Sequence, residues 1–204
     1  MSTQYSLTVT NNSTQFQDIV VYQKAVDLGV PNALSLAWMT APAHPKTTVT
    51  FTWSEDYNFV WSQTGTLQPG VAFKAQQTMD ADPENPEANQ VQFGSPKGAF
   101  TFIDGPAMGT PQLGSLYIRT LPDVPADTAS VGIGMSNAGT FVVTAGPNLN
   151  YVFTPHPSYW VAAGTFTAGE VLDVEEITNT QEITYRSTFA QNAVLGSNNL
   201  WTVS

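Results

Sequence analysis

Apolar residues recur at every second position along much of this chain, the pattern of β-strands with one buried face. "YSLTVTN" puts Tyr5, Leu7 and Val9 on one side and Ser6, Thr8 and Thr10 on the other. "TVTFTW" alternates Val49, Phe51 and Trp53 with threonines. "VAFKAQQ", "QVQFG", "SLYIRT", "SVGIGM", "TFVVTA", "NYVFTP", "EITYRS" and "LWTVS" read the same way, as half-buried strands. Between them lie "LQPGV", "GSPKGA", "DGPAMGTPQLG", "PDVPADT", "SNAG" and "AGPNLN", rich in the Gly, Pro and Asn that turns require. No window carries an apolar stripe at helical spacing, so helix is confined to short turns near "QKAVDLGVPNA" or "MDADPENPE". The expected fold is all-β: a single antiparallel β-sandwich of many short strands spanning residues 1–204. "GTFVVTAG" and "AGTFTAGE" echo each other, but so short an echo predicts no internal repeat.

Composition narrows the function. With 42% hydrophobic residues the 204-residue chain can bury a core without staples. The absence of cysteine excludes disulfides, thiolate metal sites and cysteine nucleophiles. Only 11% of residues are charged, against about 25% in ordinary domains, so Thr, Ser, Asn and Gln must supply the polar surface. A net charge of −10 and six scattered basic residues argue against nucleic acid and anionic membrane surfaces. No apolar run reaches the roughly 18 residues of a membrane-spanning helix, so no membrane insertion is expected. No secretory leader is visible in "MSTQYSLTVTNN". The expected location is therefore extracellular or cell-surface by a leaderless route, or cytoplasmic.

Few residues carry chemistry. His44 and His156 each precede a proline, which makes "AHP" and "PHP" extended or turn segments. A metal site would need both histidines plus a carboxylate such as Asp104 or Glu170, and nothing in the spacing brings them together. "MDADPENPEANQ" opens like a calcium loop with Asp80, Asp82 and Glu84. It has Asn85 where that loop needs glycine and Val91 where it needs the bidentate acid, so any calcium binding should be weak. "GIGMSNAG" misses both the dinucleotide and the nucleophile-elbow patterns and reads as a hairpin turning at "SNAG". Trp53, Trp61 and Trp160 are candidate ring platforms for a glycan, although Trp53 shares its face with Val49 and Phe51, and Trp61 with Tyr57 and Phe59. No catalytic residue and no cofactor is expected.

"VTNNSTQFQDIVVYQ", "LSLAWMTAPAHPKTTVTFTW", "YNFVWSQTGTLQPGV", "ASVGIGMSNAGTFVV", "NLNYVFTPHPSYWVAAGTFTAGEVLD" and "NNLWTV" resemble the RhiA family over nearly the whole chain. These bacterial proteins are named for expression in the rhizosphere and are linked in rhizobia to quorum-sensing control. The resemblance implies a protein of dense or host-associated populations and transfers no site residue. The leading expectation is a non-enzymatic protein acting by self-association, including a filament, or by partner contact. A calcium-assisted glycan-binding module comes second, and a metal-dependent enzyme built on the two histidines third.

Overall fold

The computed structural model describes residues 3–25, 27–106 and 109–204 and is all-β. Val26, Ala107 and Met108, from the expected turns "QKAVDLGVPNA" and "DGPAMGTPQLG", lie outside the described residues, as do Met1 and Ser2. Strands β1 (Gln4–Asn11), β5 (Thr47–Ser54), β16 (Ala190–Leu195) and β17 (Trp201–Val203) form a first sheet in the order β17–β16–β1–β5. A second, ordered β15–β14–β2–β4, uses β2 (Gln17–Gln23), β4 (Met39–Ala43), β14 (Tyr159–Gly164) and β15 (Thr180–Ile183). The third runs β3–β12–β11–β6–β7, from β3 (Leu34–Ser35), β6 (Tyr57–Ser62), β7 (Gln77–Ala81), β11 (Ser130–Met135) and β12 (Ala138–Thr144). In the fourth, β8 (Gln90–Gly94), β9 (Thr101–Ile103), β10 (Leu116–Thr120) and β13 (Asn150–Phe153) are ordered β13–β10–β8–β9. Helix among the described residues amounts to one 3-10 turn, Pro96–Gly98, while "DPENPE" forms turns after the end of β7 instead.

The sheets pair through two apolar cores. Leu7, Val9, Phe51 and Trp53 of the first sheet share a core with Ile19, Val21, Tyr159 and Val161 of the second. Phe59, Trp61, Val131 and Ile133 of the third share another with Val91, Phe93, Ile118 and Phe153 of the fourth. Burying each such aliphatic or phenyl side chain stabilises by about 1.5–3 kcal/mol. A one-residue slip would move the set to the wrong face, so the alternation fixes register.

The half-buried reading fails for "SVGIGM" and "TFVVTA", which form β11 and β12. β2, β6, β11 and β12 are buried on both faces. Behind β2, Val20 and Tyr22 pack with Ala37, Ala162 and Leu172; behind β6 and β12, Val60 and Val142 pack with Leu36, Phe73 and Val171. Connecting segments provide this cover, held to one another by bridges between Leu36 and Val171 and between Ala72 and Glu170. Within this crowded layer Gly134 is obligatory, because a Cβ there would sit 1.6 Å from the Ala138 carbonyl oxygen.

Among the described residues two strand pairings are parallel, β1 with β16 and β8 with β10; the others are antiparallel. The parallel pairs expose a duplication. Set β1, β2, β4 and β5 against β10 to β13, and β6 to β9 against β14 to β17. Every neighbour and every direction then matches: β1∥β16 with β10∥β8, β1–β5 with β10–β13, β16–β17 with β8–β9. The other sheet of each sandwich matches too: β2–β4 with β11–β12, β2–β14 with β11–β6, β14–β15 with β6–β7. Only β3 is extra.

Local chemistry agrees with the topology. "AHPKTTVTFT" and "AGPNLNYVFT" join the matched strands, and each turn has Pro followed by a positive φ, Lys46 at 65° and Asn148 at 56°. A fully buried polar side chain ends the matched strand beside each turn: the Asn11 amide donates to the Ala43 carbonyl, and the Thr120 hydroxyl to that of Gly146. The expectation of no internal repeat is therefore wrong at the level of topology. Moreover, neither repeat forms a sandwich alone. One sandwich is the continuous stretch β6–β13; the other joins β14–β17 to β1, β2, β4 and β5 from the opposite end of the chain.

Candidate functional site

Besides the β2–β4 connection, whose β3 joins the third sheet, two short links among the described residues carry the chain between sandwiches: Glu55–Asp56 after β5, and residues 154–158 after β13. They are held side by side, because the Tyr159 hydroxyl at the start of β14 donates to Glu55 Oε1 at 2.9 Å. A serine from the other sandwich pins the first link. Ser136 Oγ accepts from the Ser54 amide at 2.9 Å and donates to the Ser54 carbonyl at 3.1 Å, while its own amide donates to the Asp56 carbonyl at 3.0 Å. Ser136 can reach because it and Asn137 form the two-residue turn of the β11–β12 hairpin, at φ 52° and 61°, as a primed turn requires. The "SNAG" hairpin read from sequence is thus present, and its serine serves as a structural peg.

Aromatic side chains crowd the same crossover. Tyr5 stacks on Trp53 at 6.1 Å and meets Tyr185 edge-on at 5.0 Å; Trp53 lies 5.0 Å from Tyr159 and 5.6 Å from Trp38. Burial pushes the Tyr57 hydroxyl well above the ordinary tyrosine range, and the neighbouring Glu55 charge pushes the same way. For Tyr159 burial again dominates; the Trp53 indole opposes it and Glu55 adds to it. Tyr185 is raised by burial and then by Tyr5. These hydroxyls are held neutral and donate to fixed acceptors, Tyr159 to Glu55 and Tyr185 to the Ser6 carbonyl at 2.9 Å.

On its other side the crossover opens into a cleft of about 660 Å³ whose lining includes Glu55, Asp56, Asp80, Asp82, Ser136 and Asn137. The cleft thus gathers two of the three acids expected in the calcium-like loop, Asp80 and Asp82. Glu84 is not part of the lining; its amide donates to Asp82 Oδ1 at 2.9 Å, committing that oxygen to the loop's own turn. Among the described residues, no three or more His, Asp or Glu side chains come together in an arrangement able to hold a metal ion.

The nominated tryptophans divide. Trp53 and Trp61 are 2% and 7% exposed, one in each core, so neither offers a ring face to a sugar. Trp160 is half-buried and lines a pocket of about 340 Å³ with Lys24, Asp27, His156, Ser158 and Glu182. Lys24 Nζ sits 3.8 Å from its ring centroid, a cation–π contact that occupies one face. The two histidines do not meet. His44 follows Ala43, which pairs with Gln17 at the start of β2, and packs edge-on against Phe16 at 5.0 Å. His156 shares its pocket with Lys24, just past the end of β2. A seven-residue strand separates them, about 20 Å at 3.4 Å per residue. Sequence reading missed Glu55 and Tyr159 and read Ser136 only as part of a turn; the available signal was a tyrosine opening each strand after a crossover, "DYNFVW" and "SYWVAA".

A family model described as RhiA matches residues 2–204. The curated Protein RhiA of Rhizobium leguminosarum bv. viciae is 42% identical over 210 residues, covering 99% of this chain and 87% of that protein. No solved structure matches.

Proposed function

The chain belongs to the RhiA family, and on that basis we propose that it is a non-enzymatic bacterial protein of community or host contact that works by self-association, at the cell surface or outside the cell. Strand β5 carries this reading. It ends its sheet, is eight residues long and contains neither proline nor charge. Edge strands usually carry such guards, because unpaired N–H and C=O groups accept another chain. The other edges here are guarded or short: Pro42 in β4, Asp80 in β7, Glu182 in β15, and two to four residues in β3, β9, β13 and β17. The outward face beside β5 is also uncharged, with Thr8 against Thr50 at 3.3 Å and Thr10 against Thr48 at 3.1 Å. "YSLTVTNN" is no edge, since β1 lies between β16 and β5, whereas "NNLWTVS" does form the short edge β17.

The −10 charge opposes close approach but is screened beyond about 8 Å at physiological salt, so association should strengthen as salt is added. Sedimentation of the native chain and of Thr50→Lys is the test. The lysine should shift the distribution toward monomer. A native chain that stays monomeric at high concentration would remove the reading. A second, glycan-binding reading rests on Trp160 and its pocket alone. It predicts that Trp160→Ala abolishes retention on an immobilised glycan array.

A further inference from the structure

We infer that the two halves of the terminal sandwich are exchangeable between copies of this chain, β14–β17 of one completing β1, β2, β4 and β5 of the next. The inference builds on the self-association reading and names its partner and its joint. In the closed chain this sandwich is assembled from β1, β2, β4 and β5 at one end and β14–β17 at the other, joined by the parallel pair β1∥β16 and the antiparallel pair β2–β14. Neither half is covalently continuous with the other except through the whole intervening sandwich. Any contact that closes the chain on itself can thus be made identically with a neighbour.

Two features favour the open form. The links are short, and the second is stiffened by Pro155 and Pro157 in "TPHPS", so closure requires both to turn back in a fixed geometry. Short, constrained hinges are where strand exchange relieves cost at no loss of native contacts. The duplicated topology adds that these half-units pair across links as their ordinary mode, since β6–β9 and β10–β13 meet in the same way. The halves are unlike each other, so a donated β14–β17 completes β1, β2, β4 and β5 of another copy. Two copies that exchange reciprocally form a closed pair, and one-way exchange from copy to copy generates a chain or a larger ring. For tethers this short the effective concentration is in the millimolar range, so exchange competes with closure when the protein approaches about 1 mM.

The absence of cysteine makes the test clean, because introduced thiols have no competitors. Thr8 and Asn192 are paired across β1∥β16 on the outward face. Adjacent strands lie about 4.8 Å apart, within the Cα separation a disulfide spans. The single variants Thr8→Cys and Asn192→Cys are unfolded, mixed, refolded together at about 1 mM and oxidised. Exchange predicts a disulfide between unlike chains in several-fold excess over both like-chain disulfides. Unlike-chain product at or below the like-chain level overturns the inference. The double variant, oxidised as dilute monomer, should then remain monomeric at high concentration and assemble again once reduced. If the locked chain assembles as well as the native one while Thr50→Lys does not, exchange is refuted and edge association stands. If the native chain never assembles, both fall.

Discussion

Replacing Asn11 by alanine tests whether buried turn-anchoring amides, and not only the apolar cores, hold this fold. The side chain is fully buried at the end of β1. Its Nδ2 donates to the Ala43 carbonyl at 2.8 Å and the Gln15 carbonyl at 3.0 Å, and its Oδ1 accepts from the Ser13 amide at 3.0 Å. Alanine removes the side-chain donor to the Ala43 oxygen and the acceptor of the Ser13 N–H, both buried, whereas Gln15 is exposed and can turn to water. Two buried groups that each lose a partner, at about 1–3 kcal/mol apiece, give a loss of roughly 2–6 kcal/mol. That is a large share of the 5–15 kcal/mol typical of native domains. At about 2–4 °C per kcal/mol for a chain of this size, a loss of 3 kcal/mol lowers Tm by about 6–12 °C. Urea titration followed by tryptophan fluorescence should show a lower midpoint at unchanged slope. Asn11→Asp keeps the acceptor for Ser13 and should lose less. A loss below about 1 kcal/mol for the alanine variant, less than one buried orphan costs, would refute the reasoning.

Gly134→Ala should be among the most damaging single changes, because its methyl collides with the Ala138 carbonyl and not with a movable side chain; soluble yield and Tm report it, and wild-type values would contradict the packing described. Raised folded-state values at Tyr57, Tyr159 and Tyr185 mean that the unfolded chain releases phenolic protons first, so stability is intact below about pH 10 and falls as pH rises beyond it. Phenolate absorbance should appear together with unfolding, and Tyr159→Phe should make the decline shallower. The double substitution His44→Gln and His156→Gln should change stability by no more than about 0.5 kcal/mol, since both side chains are exposed and lie at opposite ends of β2; a larger drop in the urea midpoint would show that one of the turns depends on its ring.

Much of the strand content was legible because alternation states which face is buried: Leu7, Val9, Phe51 and Trp53 share one core, as their parity predicted. Parity also placed Trp61 with Phe59 inside. It says nothing about what covers the opposite face. "SVGIGM" and "TFVVTA" therefore passed for half-buried strands when connecting segments seal them from behind. The parallel pairs were invisible for another reason, since they join residues far apart in the chain. The duplication survives mainly as topology and as a few turn residues such as Pro45 and Pro147, because strands tolerate any apolar side chain of suitable size at an inward position. At the crossover, Glu55 and Tyr159 lie 104 positions apart, and no local pattern brings a carboxylate to a tyrosine across that distance.

The divided terminal sandwich also sets a timetable for synthesis. Strands β1, β2, β4 and β5 leave the ribosome first, yet the strands that complete their shared core, β14 to β17, are the last to be made. At about 5–20 residues per second, β1 waits roughly 10–40 s for β16, while the contiguous β6–β13 sandwich can close behind it. During that interval Leu7, Val9, Phe51 and Trp53 lack their eventual cover from β14, and neighbouring nascent chains on one message hold the same unfinished half. Slowing translation of the last 46 codons would lengthen this exposure and make the newborn protein more dependent on chaperones, with no change in the sequence or stability of the finished molecule.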